Sequence, residues 1–98
     1  MRKTRRLKNW MGEDWVVKRV ERFEQEGHTA ICDFVKREIK FKSTDAHTEQ
    51  TSIMHEAMHR ATGLGSEDEN EELRVEYATL MLVEFLEKMG VDLSPLRG

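Results

Sequence analysis

The sequence predicts a single α+β domain spanning residues 1–98, with a short antiparallel β-sheet of two or three strands beside two packed helices. Three observations predict it. Trp15-Val16-Val17-Lys18-Arg19-Val20 has the β-branched and aromatic content of a strand, and an apolar–charged alternation runs on to Lys42. A polar loop then opens a helical run over residues 46–61, stopped by Thr62-Gly63-Leu64-Gly65. A second helical run starts at Ser66, a capping residue with Glu69 three later, runs to about Met89 and stops at Gly90.

Residues 1–9 carry Arg2, Lys3, Arg5, Arg6 and Lys8, and read as a basic, solvated and partly disordered arm. Gly12-Glu13-Asp14 reads as a turn into the first strand. Glu26-Gly27-His28 reads as a hairpin turn. Residues 29–42 then form a long second strand, with Val35, Ile39 and Phe41 on one face and Lys36, Glu38 and Lys40 on the other. Ser43, Thr44 or Asp45 caps the first helix. On the second helix, Val75, Ala78, Leu82, Phe85 and Met89 share a face suited to packing on the first. Residues 91–98, with Pro95, are a short tail.

The composition excludes several classes. A 98-residue chain has a modest core, so a bound metal would matter for stability as well as chemistry. The net charge of −3 argues against general nucleic-acid affinity. There is no apolar run of about 20 residues to span a bilayer, and no apolar segment follows the basic N-terminus as in a secretory signal. Cys32 stands alone, which rules out an internal disulfide and multi-cysteine zinc sites and fits a cytoplasmic protein.

The first helix carries His55-Glu56-Ala57-Met58-His59. Residues four apart lie one above the other on a helix, so both imidazoles can reach one metal ion at about 2.0–2.1 Å. Glu56 sits one position on, where it can take a proton from water activated by that metal. Ile53, Ala57 and Ala61, with Met54 and Met58, make the helix largely buried. Two histidines and a glutamate on such a helix are costly unless they find partners.

A catalytic zinc usually takes three protein ligands and keeps one position open. No histidine follows His59, so a carboxylate on the second helix must be the third. Glu71 lies in line with Val75, Ala78 and Leu82 and is the first candidate, followed by Glu72 and Glu76. His47 and Tyr77 are weaker candidates for contacting a substrate oxygen. They read more simply as a loop or cap residue and a core aromatic.

With these residues in place, the chain resembles the zincin-like metalloproteases of gluzincin type. More narrowly, it resembles small HExxH proteins encoded by bacteriophages and prophages, the minigluzincins and the cores of ImmA/IrrE-like peptidases. The resemblance rests on Gly27, Asp33, Arg37-Glu38-Ile39, the run from Glu49-Gln50 to His55-Glu56, Gly63, and Asn70-Glu71-Glu72-Leu73. It covers residues 15–85, and its one specific motif is His-Glu-x-x-His. Met58 stands where ImmA/IrrE-like proteins usually have glycine. The resemblance implies a zinc ion on His55, His59 and a glutamate near position 71. It also implies Glu56 as general base, and an edge strand within residues 29–42 that pairs with an extended peptide. The reaction expected is zinc-dependent hydrolysis of a peptide or protein substrate. The alternative is a non-catalytic binding or regulatory module with a structural or vestigial metal site. Trp10, Trp15 and the second helix each offer an oligomer interface, so the oligomeric state stays open.

Overall fold

The computed structural model describes residues 4–24 and 27–97. Four strands, β1 (Thr4–Trp10), β2 (Glu13–Val20), β3 (Ala30–Asp33) and β4 (Glu38–Lys42), precede two helices, α1 (Ala46–Thr62) and α2 (Glu69–Lys88). A 3₁₀ helix, Ser94–Arg97, closes the chain. The sheet order is β1-β2-β4-β3, with β2 and β4 parallel and both outer pairs antiparallel. The fold is thus small α+β, but its sheet is four-stranded and mixed rather than two- or three-stranded and antiparallel.

Two local features account for the difference. The expected basic arm is β1 from Thr4 onward; the rest of it, residues 1–3, lies outside the described residues. Arg5 and Leu7 turn towards the sheet while Arg6 and Lys8 face solvent, so charge on both faces hides the alternation. A tight turn at Met11 (φ 54°) and Gly12 (φ 82°) returns the chain into β2.

The second feature breaks the expected long strand. The Asp33 carboxylate accepts hydrogen bonds from the backbone amides of Val35 (3.0 Å) and Lys36 (2.9 Å), and Arg37 follows at φ 56°. That is an Asx-type turn, and it converts residues 29–42 into the hairpin β3–β4. Val35, expected on the buried face, is therefore at the hairpin tip and 93% exposed. The segment around Gly27 becomes a crossover from β2 to the far edge of the sheet, not a hairpin turn; Glu26 lies outside the described residues.

Trp15 and Val17 of β2, Ile39 and Phe41 of β4 and Ala30 of β3 form the core with Ile53 of α1. Burying such side chains contributes on the order of 2 kcal/mol each, which seats α1 firmly across one sheet face. Asp45 caps α1 by accepting from the Thr48 amide at 2.9 Å, and Gly63 ends it at φ 73°. Glu49, 3% exposed, ties the helix to the sheet. Its Oε2 accepts from Arg19 Nη1 (2.7 Å) and from the Thr44 amide (2.8 Å). Arg19 also donates to the Arg97 carbonyl at 3.1 Å, anchoring the 3₁₀ helix. Among the described residues no helix is long and apolar enough to cross a membrane.

α2 packs chiefly on α1. Asp68, not the expected Ser66, caps it, accepting from the Asn70 amide at 2.9 Å, so the helix starts at Glu69. Its buried stripe is Val75, Thr79 and Val83. Leu82, Phe85 and Met89, expected to pack on α1, are exposed instead. The helix is rotated about 80° from the expected phase, at 100° per residue. β-Branched residues at i, i+4 and i+8, not the larger apolar ones, make the contact.

Candidate metal centre

His55 and His59, one turn apart on α1, bring their Nε2 atoms to 3.1 Å. Glu72 reaches across from the first turn of α2, with Oε1 2.7 Å from His55 Nε2 and Oε2 2.9 Å from His59 Nε2. The ligand atoms of these three residues all lie within 4.8 Å of one another, and the trio can hold a metal ion. Two zinc ligands at 2.0–2.1 Å in tetrahedral geometry stand about 3.3 Å apart, so the cluster is only slightly tighter than a filled site.

The hydrogen bonding of His59 is what makes the cluster acceptor-rich. Its Nδ1 lies 2.8 Å from the Leu64 carbonyl, which can only accept, so Nδ1 carries the proton. In the neutral ring Nε2 is then a bare lone pair. It faces Glu72 Oε2, a buried atom with no hydrogen-bond donor of its own. The 2.9 Å approach of these two atoms sets one acceptor against another unless a proton or a metal ion lies among them, and His55 Nε2, 2.7 Å from Glu72 Oε1 and 3.1 Å from His59 Nε2, can donate such a proton. His59 is 5% exposed, so water offers little relief. An outer hydrogen bond that fixes the tautomer and leaves Nε2 free is the usual setting of a metal-ligating imidazole. Two imidazoles and a carboxylate suit zinc in both donor type and number.

Of the expected third ligands, the structure brings in Glu72 and not Glu71. Glu71 turns to the α1–α2 loop, where its Oε2 accepts from the Gly65 amide at 3.0 Å. Glu76 lines the same cleft without joining the cluster. The rotation of α2 explains the exchange: Glu72 falls in phase with Val75, Thr79 and Val83, whereas Glu71 was in phase with the wrong face. The Val75-Thr79-Val83 spacing was visible in the sequence and would have selected Glu72.

Glu56 lies beside the cluster, half-buried between α1 and β3. Burial is the main force raising its carboxyl from 4.5 to about 7. His59 opposes the rise, Glu72 adds to it, and the Cys32 backbone amide pulls it down. A cation on the cluster would lower it further. Cys32 itself is half-buried, its thiol pushed up to about 12 by burial first and the Glu56 charge second, so it is not a nucleophile here.

The cluster opens into a cleft of about 600 Å³. Its floor is His55, Glu56 and His59, and one wall is Thr29–Cys32, which includes most of edge strand β3. His47 lies away from the cleft, exposed and 3.9 Å from Glu87. Tyr77 is exposed on the outer face of α2.

Comparison of the chain with protein families, with curated proteins and with solved structures finds no match.

Proposed function

We propose that the protein is a zinc-dependent metallopeptidase. The observation that carries this reading is the placement of Glu56. A half-buried carboxyl lines the same cleft as a two-histidine, one-carboxylate cluster, beside edge strand β3. A structural metal needs no base beside it and usually closes its fourth position.

His55, His59 and Glu72 would hold the ion; when bound, it supplies Lewis-acid polarisation of a carbonyl and makes water a better nucleophile at neutral pH. The chain's own residues do the rest. An extended peptide adds to the outer edge of β3, where backbone hydrogen bonds set its register and bring one carbonyl over the cluster. Glu56 takes the proton from the attacking water and passes it to the departing amine nitrogen.

The test is hydrolysis of a denatured-protein or peptide-library substrate by zinc-loaded wild type and Glu56→Gln. Zinc-dependent cleavage in wild type and its loss in a variant that still binds zinc would support the reading. Zinc binding with no cleavage of any substrate would favour a structural or vestigial site.

A further inference from the structure

A helix about 10 Å across covers roughly two strands spaced ~4.8 Å apart. α1 lies over β3 and β4, and α2 packs on α1 rather than on the sheet. Between β1, α1 and the 3₁₀ helix a groove of about 650 Å³ is left. Leu7 and Trp10 line it from β1, Ile53 and Ala57 from α1, and Pro95 and Leu96 from the 3₁₀ helix. Val17 and Ile39 of the sheet lie at its floor.

Arg5 stands out in this setting. The strand register sets Arg5 beside Val17 and Val17 beside Ile39, and residues paired in this way point to one face of a sheet. Arg5 is therefore a half-buried charged side chain in the apolar row that α1 packs on. Among the described residues no carboxylate pairs with it, and no Asp or Glu lines the groove. A cation held against apolar surface without a counter-charge is costly.

We infer that the groove binds a fatty-acid-like carboxylate, its hydrocarbon chain over Val17, Ile39 and Ile53 and its head group on Arg5. The volume is that of a small-molecule pocket, and an apolar lining with one well-placed charge is the usual build of such a site. A guanidinium matches a carboxylate with two parallel hydrogen bonds. Arg6 and Lys8, exposed on β1, add positive potential at the rim. An acidic peptide is the poorer occupant. Away from β1 the lining side chains are all apolar and offer a peptide's amides no partner, whereas a hydrocarbon chain needs none. Ile53 and Ala57 precede His55 and His59 by two positions, about 200° round α1, so a ligand in the groove leaves the metal cleft open.

The full chain is titrated by calorimetry with decanoate and with decyltrimethylammonium, both below their micellar concentrations. Chelator is present, so that no metal ion at the cluster can take the carboxylate. Wild type should bind decanoate about tenfold more tightly than the cationic probe. Arg5→Gln should lose about tenfold in decanoate affinity, while Arg6→Gln, on the opposite face of β1, stays near wild type. Ala57→Phe fills the groove and should abolish binding with unchanged helical circular dichroism. No decanoate binding to wild type, equal binding of the two probes, unchanged affinity in Arg5→Gln, or a folded Ala57→Phe that binds as wild type does would each overturn the proposal. Retention of wild type on phosphatidylglycerol vesicles without decanoate binding would make the groove a membrane contact and overturn it as well.

Discussion

Glu72 Oε2 stands 2.9 Å from His59 Nε2, while His59 Nδ1 donates its proton to the Leu64 carbonyl. Two acceptors at this separation repel unless a proton or a metal ion joins them. His55 Nε2, 2.7 Å from Glu72 Oε1 and 3.1 Å from His59 Nε2, completes the cluster. Four backbone features maintain it: the α1 pitch, the Gly63 cap, the Leu64 carbonyl and the phase of α2.

If Glu56 is the proton carrier, Glu56→Gln removes activity while sparing the cluster, because the amide fills the same volume and the ligands are untouched. Peptide hydrolysis should fall by about two to four orders of magnitude. Zinc content should stay at the wild-type value. Retention of full activity would remove Glu56 from the mechanism.

Glu56 also makes the metal-free fold sensitive to pH. Its carboxyl is raised from 4.5 to about 7, so between those values the folded chain keeps a proton that the unfolded chain releases. Stability from this group is thus lost as pH rises through the window, by up to about 3 kcal/mol. In chelator, Glu56→Gln should gain on wild type across that range. Urea denaturation at the two ends measures it, and a constant difference between the two proteins would show that Glu56 is not buried as described.

The Arg19–Glu49 pair is the more buried of two ion pairs that join sheet to helix among the described residues, with side chains 12% and 4% exposed; Arg60–Glu13 is the other. Glu49→Ala would leave Arg19 largely buried without its counter-charge and free the Thr44 amide. A loss of about 3–5 kcal/mol is expected, enough to threaten a domain of this size. Thermal melting of the variant checks it, and a change below about 1 kcal/mol would mean the pair is solvated.

Bound zinc should stabilise the chain, since the cluster exists only in the folded state. At one hundred times the dissociation constant the gain is about 2.7 kcal/mol. Chelator should lower the melting temperature of zinc-loaded wild type and leave that of His59→Ala, treated the same way, unchanged. A wild-type melting temperature indifferent to zinc would count against the site.

The sequence carried the helices well because their ends are chemical signals: Asp45 and Gly63 bound α1, and Gly90 follows α2. The sheet was harder. β1 pairs through its backbone while its side chains are mostly charged, so hydrophobic alternation could not reveal it. The hairpin tip depends on the Asp33 carboxylate capping two amides, a local bond that outweighs the strand pattern of Val35 and Arg37. The cluster was legible in His55 and His59, whose spacing alone sets their geometry. Its third member depended on the rotation of α2, where Thr79 proved fully buried and the larger Phe85 exposed. Thr79 can be buried because its hydroxyl bonds the Val75 carbonyl at 2.7 Å, which simple hydropathy does not register.

His55, His59 and Glu72 together would form one metal centre. Its most direct test is zinc titration of wild type, Glu72→Ala and Glu71→Ala, read by elemental analysis and calorimetry. One zinc per chain is expected in wild type, binding weakened at least tenfold in Glu72→Ala, and near wild-type binding in Glu71→Ala. Loss of zinc in Glu71→Ala with retention in Glu72→Ala would contradict it, as would a correctly folded wild type that binds no zinc.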